Sequence, residues 1–298
     1  MALTQLADND VQAERLTDVL RLPKDLKKRT RIRVASYNVY NLFGEDAEHP
    51  KPTEQLAALA DVILALDADV ISFAEVGSLA TLKELFQSRI NPKLQGADKY
   101  DAYICIPAND RRGINVALAT RLSVRGKMSF SDREFEKNGK TIKFSRDLLG
   151  VLIQATPDPE HTFMYFVGHL KSKIGGDDAE QKRRAEAGEV IDIFTGPTFG
   201  AAFITQPLLF AGDFNADPDT KPIDILKKGT LTDLFEDVQP NYTYPTALSK
   251  GHYDQTRLDY MFASPSMKDR MQKLDIYRKD PTDEASDHYP ISAEMRLV

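Results

Sequence analysis

The sequence predicts an α/β fold built on mixed β-sheets. Three observations carry that expectation. Short apolar runs closed by turn residues recur along the chain, and such runs are buried strands more often than helices. Several of them come in pairs joined by short polar turns, as antiparallel neighbours do. Other segments place apolar residues at helical spacing. Paired strands interspersed with helices indicate mixed sheets rather than a purely parallel one.

Residues 1–30 differ from the rest. Leu6, Val11, Leu16 and Leu20 fit one weakly amphipathic helix, and Pro23 with the KKRTR run from Lys27 to Arg31 separates it from the first strand. This segment reads as an N-terminal helical extension, its basic run as a solvated connection. Residues 31–298 form the main domain. Ile32–Val39 is the first expected strand. Leu56, Leu59, Ala60 and Ile63 mark one face of a helix, and Val70–Val76 is a second strand. Leu79, Leu82 and Phe86 mark a helix that Ser78 can cap. Tyr100–Ile106 and Ile114–Thr120 read as neighbouring strands around NDRRG, and Leu148–Ala155 and Phe163–Leu170 as another pair around TPDPEH. A helix from Asp178 to Phe194 follows. Then come a strand at Leu208, a short helix opened by Pro222, and strands at Leu258–Ala263 and Ile291–Leu297.

Composition narrows the function classes. The 298 residues carry a net charge of −6, so no global basic field draws in a polyanion. An anionic substrate must be held by local cations or by a metal. The single Cys105, in the strand-like YDAYICI, cannot form an internal disulfide and reads as a buried inert thiol. No apolar run approaches the roughly 18 residues of a membrane span. Acidic residues stand where a secretory signal would have a basic and then an apolar region. The expected location is intracellular as the sequence stands, and extracellular if a signal has been removed.

The stretch LLFAGDFNADPD, Leu208 to Asp219, concentrates the chemistry. A buried strand that ends in a carboxylate needs a reason, because an unpaired buried charge costs several kcal/mol, roughly. The bland reading is an Asp that caps the next helix. Other strands repeat the pattern, however. Asn38 follows Ile32, Val34 and Ser36. Glu75 follows Ile71 and Phe73. His169 follows Phe163, Tyr165 and Val167. Asp213 follows Leu209 and Ala211, and Asp259 precedes Met261 and Ala263. Ser286-Asp287-His288 precedes the last strand. Together these residues offer carboxylates for a hard cation, amides for oxyanion contacts and two imidazoles for proton transfer.

The set resembles the endonuclease/exonuclease/phosphatase superfamily, which includes deoxyribonuclease I, exonuclease III and neutral sphingomyelinase. The matching pieces stand in family order over residues 31–298: SYNVYNLF, FAEV, RRGINVALAT, FSRDLLGVLI, VGHLKSK, GDFNADP, RLDYMFAS and SDH. GDFN and SDH are the most specific. The resemblance implies a four-layer α/β sandwich, two mixed sheets face to face with helices outside and the site at one edge. It makes residues 31–298 the catalytic domain.

The resemblance also assigns roles. Glu75 falls on the principal Mg²⁺ ligand, Asn38 on the Asn beside it, and Asp287 on an acidic position next to the metal. Asp213 falls on the residue that orients or deprotonates the attacking water, and Asn215 on an amide that contacts the scissile phosphate. His288 falls on the terminal catalytic His, and Asp259 on the carboxylate that orients it. His169 matches a second His that contacts phosphate or protonates the leaving group. Arg146 resembles a phosphate-contacting Arg. Arg112, Lys171 and Ser172 complete the expected substrate contacts.

Two departures qualify this pattern. The deoxyribonuclease I branch pairs its second His with a Glu upstream of RRGINVALAT; here Asp110 and Asn115 are the nearest candidates. Ser172 stands where abasic-site enzymes carry an Asn, and HLKSK is closer to bacterial nucleases. The leading expectation is a Mg²⁺-dependent nuclease acting on DNA, with RNA as an alternative substrate, working as a monomer. Mn²⁺ can replace Mg²⁺, and Ca²⁺ is an alternative in a structural role. The runner-up is a phosphatase or lipid phosphodiesterase of the same superfamily. An inactive binding module is the third reading.

Overall fold

The computed structural model describes residues 29–196, 202–249, 251 and 253–297. The helix expected within residues 1–30 falls almost wholly outside them. In chain order the elements begin with β1 (Arg31–Leu42), α1 (Thr53–Leu66), β2 (Val70–Val76), α2 (Leu79–Leu85), β3 (Ala102–Cys105) and β4 (Asn115–Thr120). Next come β5 (Ser123–Ser129), β6 (Glu134–Lys137), β7 (Lys140–Lys143), β8 (Leu149–Gln154), β9 (Thr162–His169), α3 (Gly176–Thr195) and α4 (Ala202–Thr205). The chain continues with β10 (Leu208–Asp213), α5 (Lys221–Lys228), β11 (Thr232–Asp233), β12 (Asp259–Ala263), α6 (Pro265–Lys268), β13 (Met271–Ile276), α7 (Thr282–Ala285) and β14 (Ile291–Arg296).

Two six-stranded sheets form the frame, in the orders β13-β14-β1-β2-β4-β3 and β11-β12-β10-β9-β8-β5. Both are mixed. β1 runs parallel to β2 and antiparallel to β14, and β10 runs parallel to β9 and antiparallel to β12. Alternation along each strand decides what each face buries. One face sends Val34, Val70, Val116, Val151, Tyr165, Leu209 and Met261 into a shared core between the sheets. The opposite face of the first sheet, with Ala35, Ile71 and Phe73, packs under Leu59 and Ile63 of α1 and Leu82 of α2. The opposite face of the second, with Phe166, Phe210 and Phe262, packs under Val190 and Phe194 of α3 and Leu226 of α5. The result is the four-layer α/β sandwich with helices outside. Ser78 caps α2 as expected, accepting a bond from the Thr81 N–H at 3.1 Å.

Several elements escaped the apolar pattern. β5 alternates buried and exposed residues around Gly126, and β13 is an edge strand with a register break. The hairpin β6–β7 is almost entirely polar and lies outside both large sheets. The basic connection departs from expectation at Arg29, while Arg31 stays exposed. Arg29 is not solvated: it pairs with Asp69 and Asp98, while Arg31 and Arg33 pair with Glu294. This network closes the end of β1 remote from Asn38.

Candidate active site

The site forms where the core between the sheets runs out of apolar residues. In the second sheet, strand register sets Asp213 beside His169 of β9 and beside Asp259 of β12. Each continues a core-facing row, behind Val167, Ala211 and Met261. Gly212 makes this alignment feasible. Its φ is +149°, and a Cβ there would stand 1.9 Å from the Gly168 carbonyl oxygen, so only glycine lets β9 and β10 approach this closely.

The first sheet contributes Asn38, whose Nδ2 donates across to Asp213 Oδ2 at 2.9 Å. Glu75 arrives less simply. Strict alternation would send it toward the helices with Ile71 and Phe73. Instead Glu75 takes φ +67°, and the pairing of β2 breaks between Phe73 and Val76. The carboxylate therefore turns to meet Asn38 Nδ2 at 3.4 Å and accepts the Asn41 N–H at 3.0 Å. Tyr40 and Asn41, at φ +49° and +56°, are left-handed as well. Such backbone persists only where its surroundings hold it, and it clusters at functional sites. Lys51 holds this turn from behind: its buried ammonium donates to the Val39 and Tyr40 carbonyls at 2.9 and 3.0 Å. Burial lowers its pKa to about 8.

Asp213 is the hub. Oδ1 accepts the Asn215 N–H at 2.8 Å, so it holds the loop after β10 rather than capping a helix. Oδ2 faces His169 Nε2 at 3.5 Å and His288 Nε2 at 3.9 Å. Asn215, itself left-handed, bonds the Leu170 carbonyl at 3.2 Å. His288 Nδ1 meets Asp259 Oδ2 at 2.7 Å. Burial raises the Asp213 pKa to about 7, and His288 pulls against that rise. Burial alone would lower His288, but Asp259 and Asp213 outweigh it, and its pKa stands well above the ordinary value. His169 goes the other way. Burial first, then Arg146 and His288, hold it neutral. The two imidazoles are thus pushed in opposite directions, which divides their chemical roles.

The residues expected at a metal gather on one side of this hub. Ser286 Oγ bonds the Asn38 carbonyl at 2.7 Å and ties the SDH turn to β1. Burial, and then the Glu75 carboxylate, raise Asp287 to about 6 against the pull of His288. Its buried Oδ1 has no hydrogen-bond partner among the described residues. Two carboxylates and an amide oxygen at close quarters, one oxygen orphaned, suit a hard divalent cation. The described residues do not bring three His, Cys, Asp or Glu side chains together as a closed cage.

The expected phosphate rim is partly spoken for. Arg146 is only 3% exposed. It donates to the Leu170 carbonyl and pairs with Asp110 at 2.9 Å, and Arg112 shares that carboxylate. Neither candidate partner reaches His169. Asp110 serves these arginines, while Asn115 bonds Ala108, Val76, Gly77 and Gly113 backbone. His169 Nδ1 has no partner among the described residues. Lys171 and Ser172 stand half-buried on the loop after His169, and burial, then Arg146, lowers the Lys171 pKa. Lys173 is held by Asp217, Arg183 by Glu180 and the Lys171 and Ser172 carbonyls. Arg111 remains exposed and Lys182 half-buried.

One positioning residue was not foreseen. Glu186 of α3, fully buried, accepts the Ser145 N–H at 2.8 Å and the Lys171 N–H at 2.7 Å. It fastens together the two loops that carry Arg146 and Lys171. The signal was present: a Glu set beside Ala187 and Val190 within the helix's apolar stripe.

The fold is that of a class of hydrolases that act on phosphoester bonds. The sequence matches the endonuclease/exonuclease/phosphatase family over residues 35–288, and the chain belongs to that family. Solved structures repeat the fold. A Bacteroides thetaiotaomicron protein of the family is 21% identical, with a TM-score of 0.62 over 93% of this chain and 100% of its own. The human Nocturnin catalytic domain with bound sulfate gives 19% and 0.63, over 91% and 96%. A mannosyl-6-phosphatase from B. thetaiotaomicron gives 20% and 0.58, over 89% and 100%. No curated protein matches the sequence.

Proposed function

We propose that this chain is a divalent-metal-dependent phosphodiesterase that hydrolyses DNA with little sequence preference. The observation that carries this reading is the convergence on Asp213 Oδ2 of Asn38, His169 and the Asp259-supported His288. Hydrolysis of a phosphodiester needs an oriented water, charge stabilisation on the phosphoryl oxygens and help for the leaving oxygen. Asp213, once ionised, orients the water and takes its proton. Asn215 offers its amide to the phosphoryl group. His288, held as imidazolium by Asp259, supplies positive charge to the developing oxyanion. His169 is neutral and can give one N–H to a phosphoryl or leaving oxygen. Asn38, Glu75 and Asp287 would hold the cation, which neutralises phosphoryl charge when bound.

Substrate choice rests on Arg111, Arg112, Lys171 and Lys182 in a chain that is acidic overall, Arg112 and Lys171 being within electrostatic reach of His169. Backbone contacts of this kind carry no base identity. Phosphomonoesterase activity is the second reading. The internal pairing of Arg146 and Lys173 favours it, since it leaves fewer cations for a long polyanion. Incubation with plasmid, single-stranded and duplex DNA, RNA and phosphomonoesters, each with Mg²⁺ and with chelator, separates the two. The expected result is metal-dependent cleavage of DNA. Hydrolysis of phosphomonoesters with every nucleic acid left intact would install the second reading.

A further inference from the structure

A ladder of aromatic rings leaves the site at His288. The Tyr244 ring lies 5.0 Å from the His288 ring, and the Tyr253 ring 5.4 Å from Tyr244. Tyr253 is 57% exposed, an unusual waste of apolar surface unless something covers it. Its base is firm. Tyr244 and Thr256 exchange both backbone hydrogen bonds, at 3.0 and 2.8 Å, and Thr256 Oγ1 bonds Asp217 at 2.6 Å. The Tyr253 ring lies over Gly251, where a Cβ would meet it at 2.2 Å.

Building on the phosphodiesterase reading, we propose that Tyr253, with Tyr244 beside it, is a stacking platform for an unpaired nucleobase next to the scissile phosphate. Aromatic side chains accept any base, because every base has a π-face. Other occupants fit less well. An acyl chain needs a continuous apolar surface, whereas Gly251, Asp254 and Gln255 surround Tyr253. The bases of an intact duplex are stacked on one another and present no open face. The preferred substrate is therefore a single strand or a locally unpaired one.

The test measures binding in chelator at low salt, so that no cleavage intervenes. The probes are a labelled single-stranded oligonucleotide, an abasic strand of equal length, a duplex and a hexose 6-phosphate. The wild type should hold the base-bearing strand roughly 5- to 150-fold more tightly than the abasic one. Tyr253→Leu should erase that difference, Tyr253→Phe should keep it, and Gly251→Ala should reduce it by displacing the ring. Thermal melting reports whether each variant folds. Equal binding of both strands, tighter binding of duplex, or a Tyr253→Leu effect confined to the hexose phosphate would overturn the platform while leaving the site chemistry standing. Failure to bind any nucleic acid would remove the nuclease reading and the platform with it.

Discussion

At the scale of single residues, Asp213 shows a conflict between folding and chemistry. Burial raises its pKa from 3.8 to about 7, so the folded protein favours the neutral acid. The stability this gives is complete below the unfolded value and is lost as pH rises through about 7. Catalysis needs the ionised form, so kcat/KM should climb through an acid limb near that pH. His288 has the same sign. Its raised pKa means that its pairing with Asp259 stabilises fully below the unfolded value and fades as pH passes the folded one. Asp259→Asn should bring the His288 pKa down and slow turnover by about 10²- to 10⁴-fold. An NMR titration of the His288 ring checks it: equal pKa values in the two proteins would refute the pairing.

At the scale of elements, two features carry the geometry. Gly212 lets β10 lie close against β9, and Gly212→Ala would force a methyl into the Gly168 carbonyl. Overpacking of this sort costs about 1–3 kcal/mol. The denaturation midpoint should drop, and activity should fall further than stability, because Asp213 and His169 flank the clash. Glu186 fixes two loops from α3. Glu186→Ala leaves two backbone N–H groups short of an acceptor, at about 1–3 kcal/mol each. KM for a nucleic acid should rise, whereas Glu186→Gln, which keeps one acceptor, should recover part of it. A KM unchanged in Glu186→Ala would deny the loops a role in substrate binding.

Which elements could be read from sequence follows from the same physics. β1, β2, β9, β10 and β12 bury both faces, so their apolar runs stood out, and the polar residues ending them stood out against that background. β13 and the β6–β7 hairpin bury one face or neither and left no such trace. Parity was right for Asn38, His169, Asp213 and Asp259. For Glu75 parity alone points to the wrong side of the sheet, and only the left-handed backbone brings it back. Arg146 was recognisable as a residue but not as a buried one, because its partner Asp110 lies in a separate loop. Lys51 gave no signal, since nothing in Lys51-Pro52 announces a buried ammonium under a distant turn.

At the scale of the whole molecule, two sheets supply opposite halves of one site, and each is held by its own helical layer. A ligand that bridges both halves should therefore stabilise the entire fold. Mg²⁺ should raise the melting temperature by an amount that grows with the logarithm of its concentration above Kd, and Glu75→Gln should blunt that rise at the same concentration. A Mg²⁺-dependent shift as large in Glu75→Gln as in the wild type would place the cation elsewhere. The frame itself rests on the shared core, so substitutions at the polar end should alter chemistry more than stability. Asp213→Asn puts this most directly. It keeps the shape and one of the two oxygens, so either the Asn38 amide or the Asn215 N–H loses its acceptor, and it removes a buried carboxylate whose ionisation opposes folding. Hydrolysis of a small phosphodiester with Mg²⁺ at pH 8 should fall by about 10²- to 10⁴-fold while the protein still folds cooperatively, because the lost bond and the removed buried charge act on stability in opposite directions. Turnover within a few-fold of the wild type would contradict a reaction centred on Asp213.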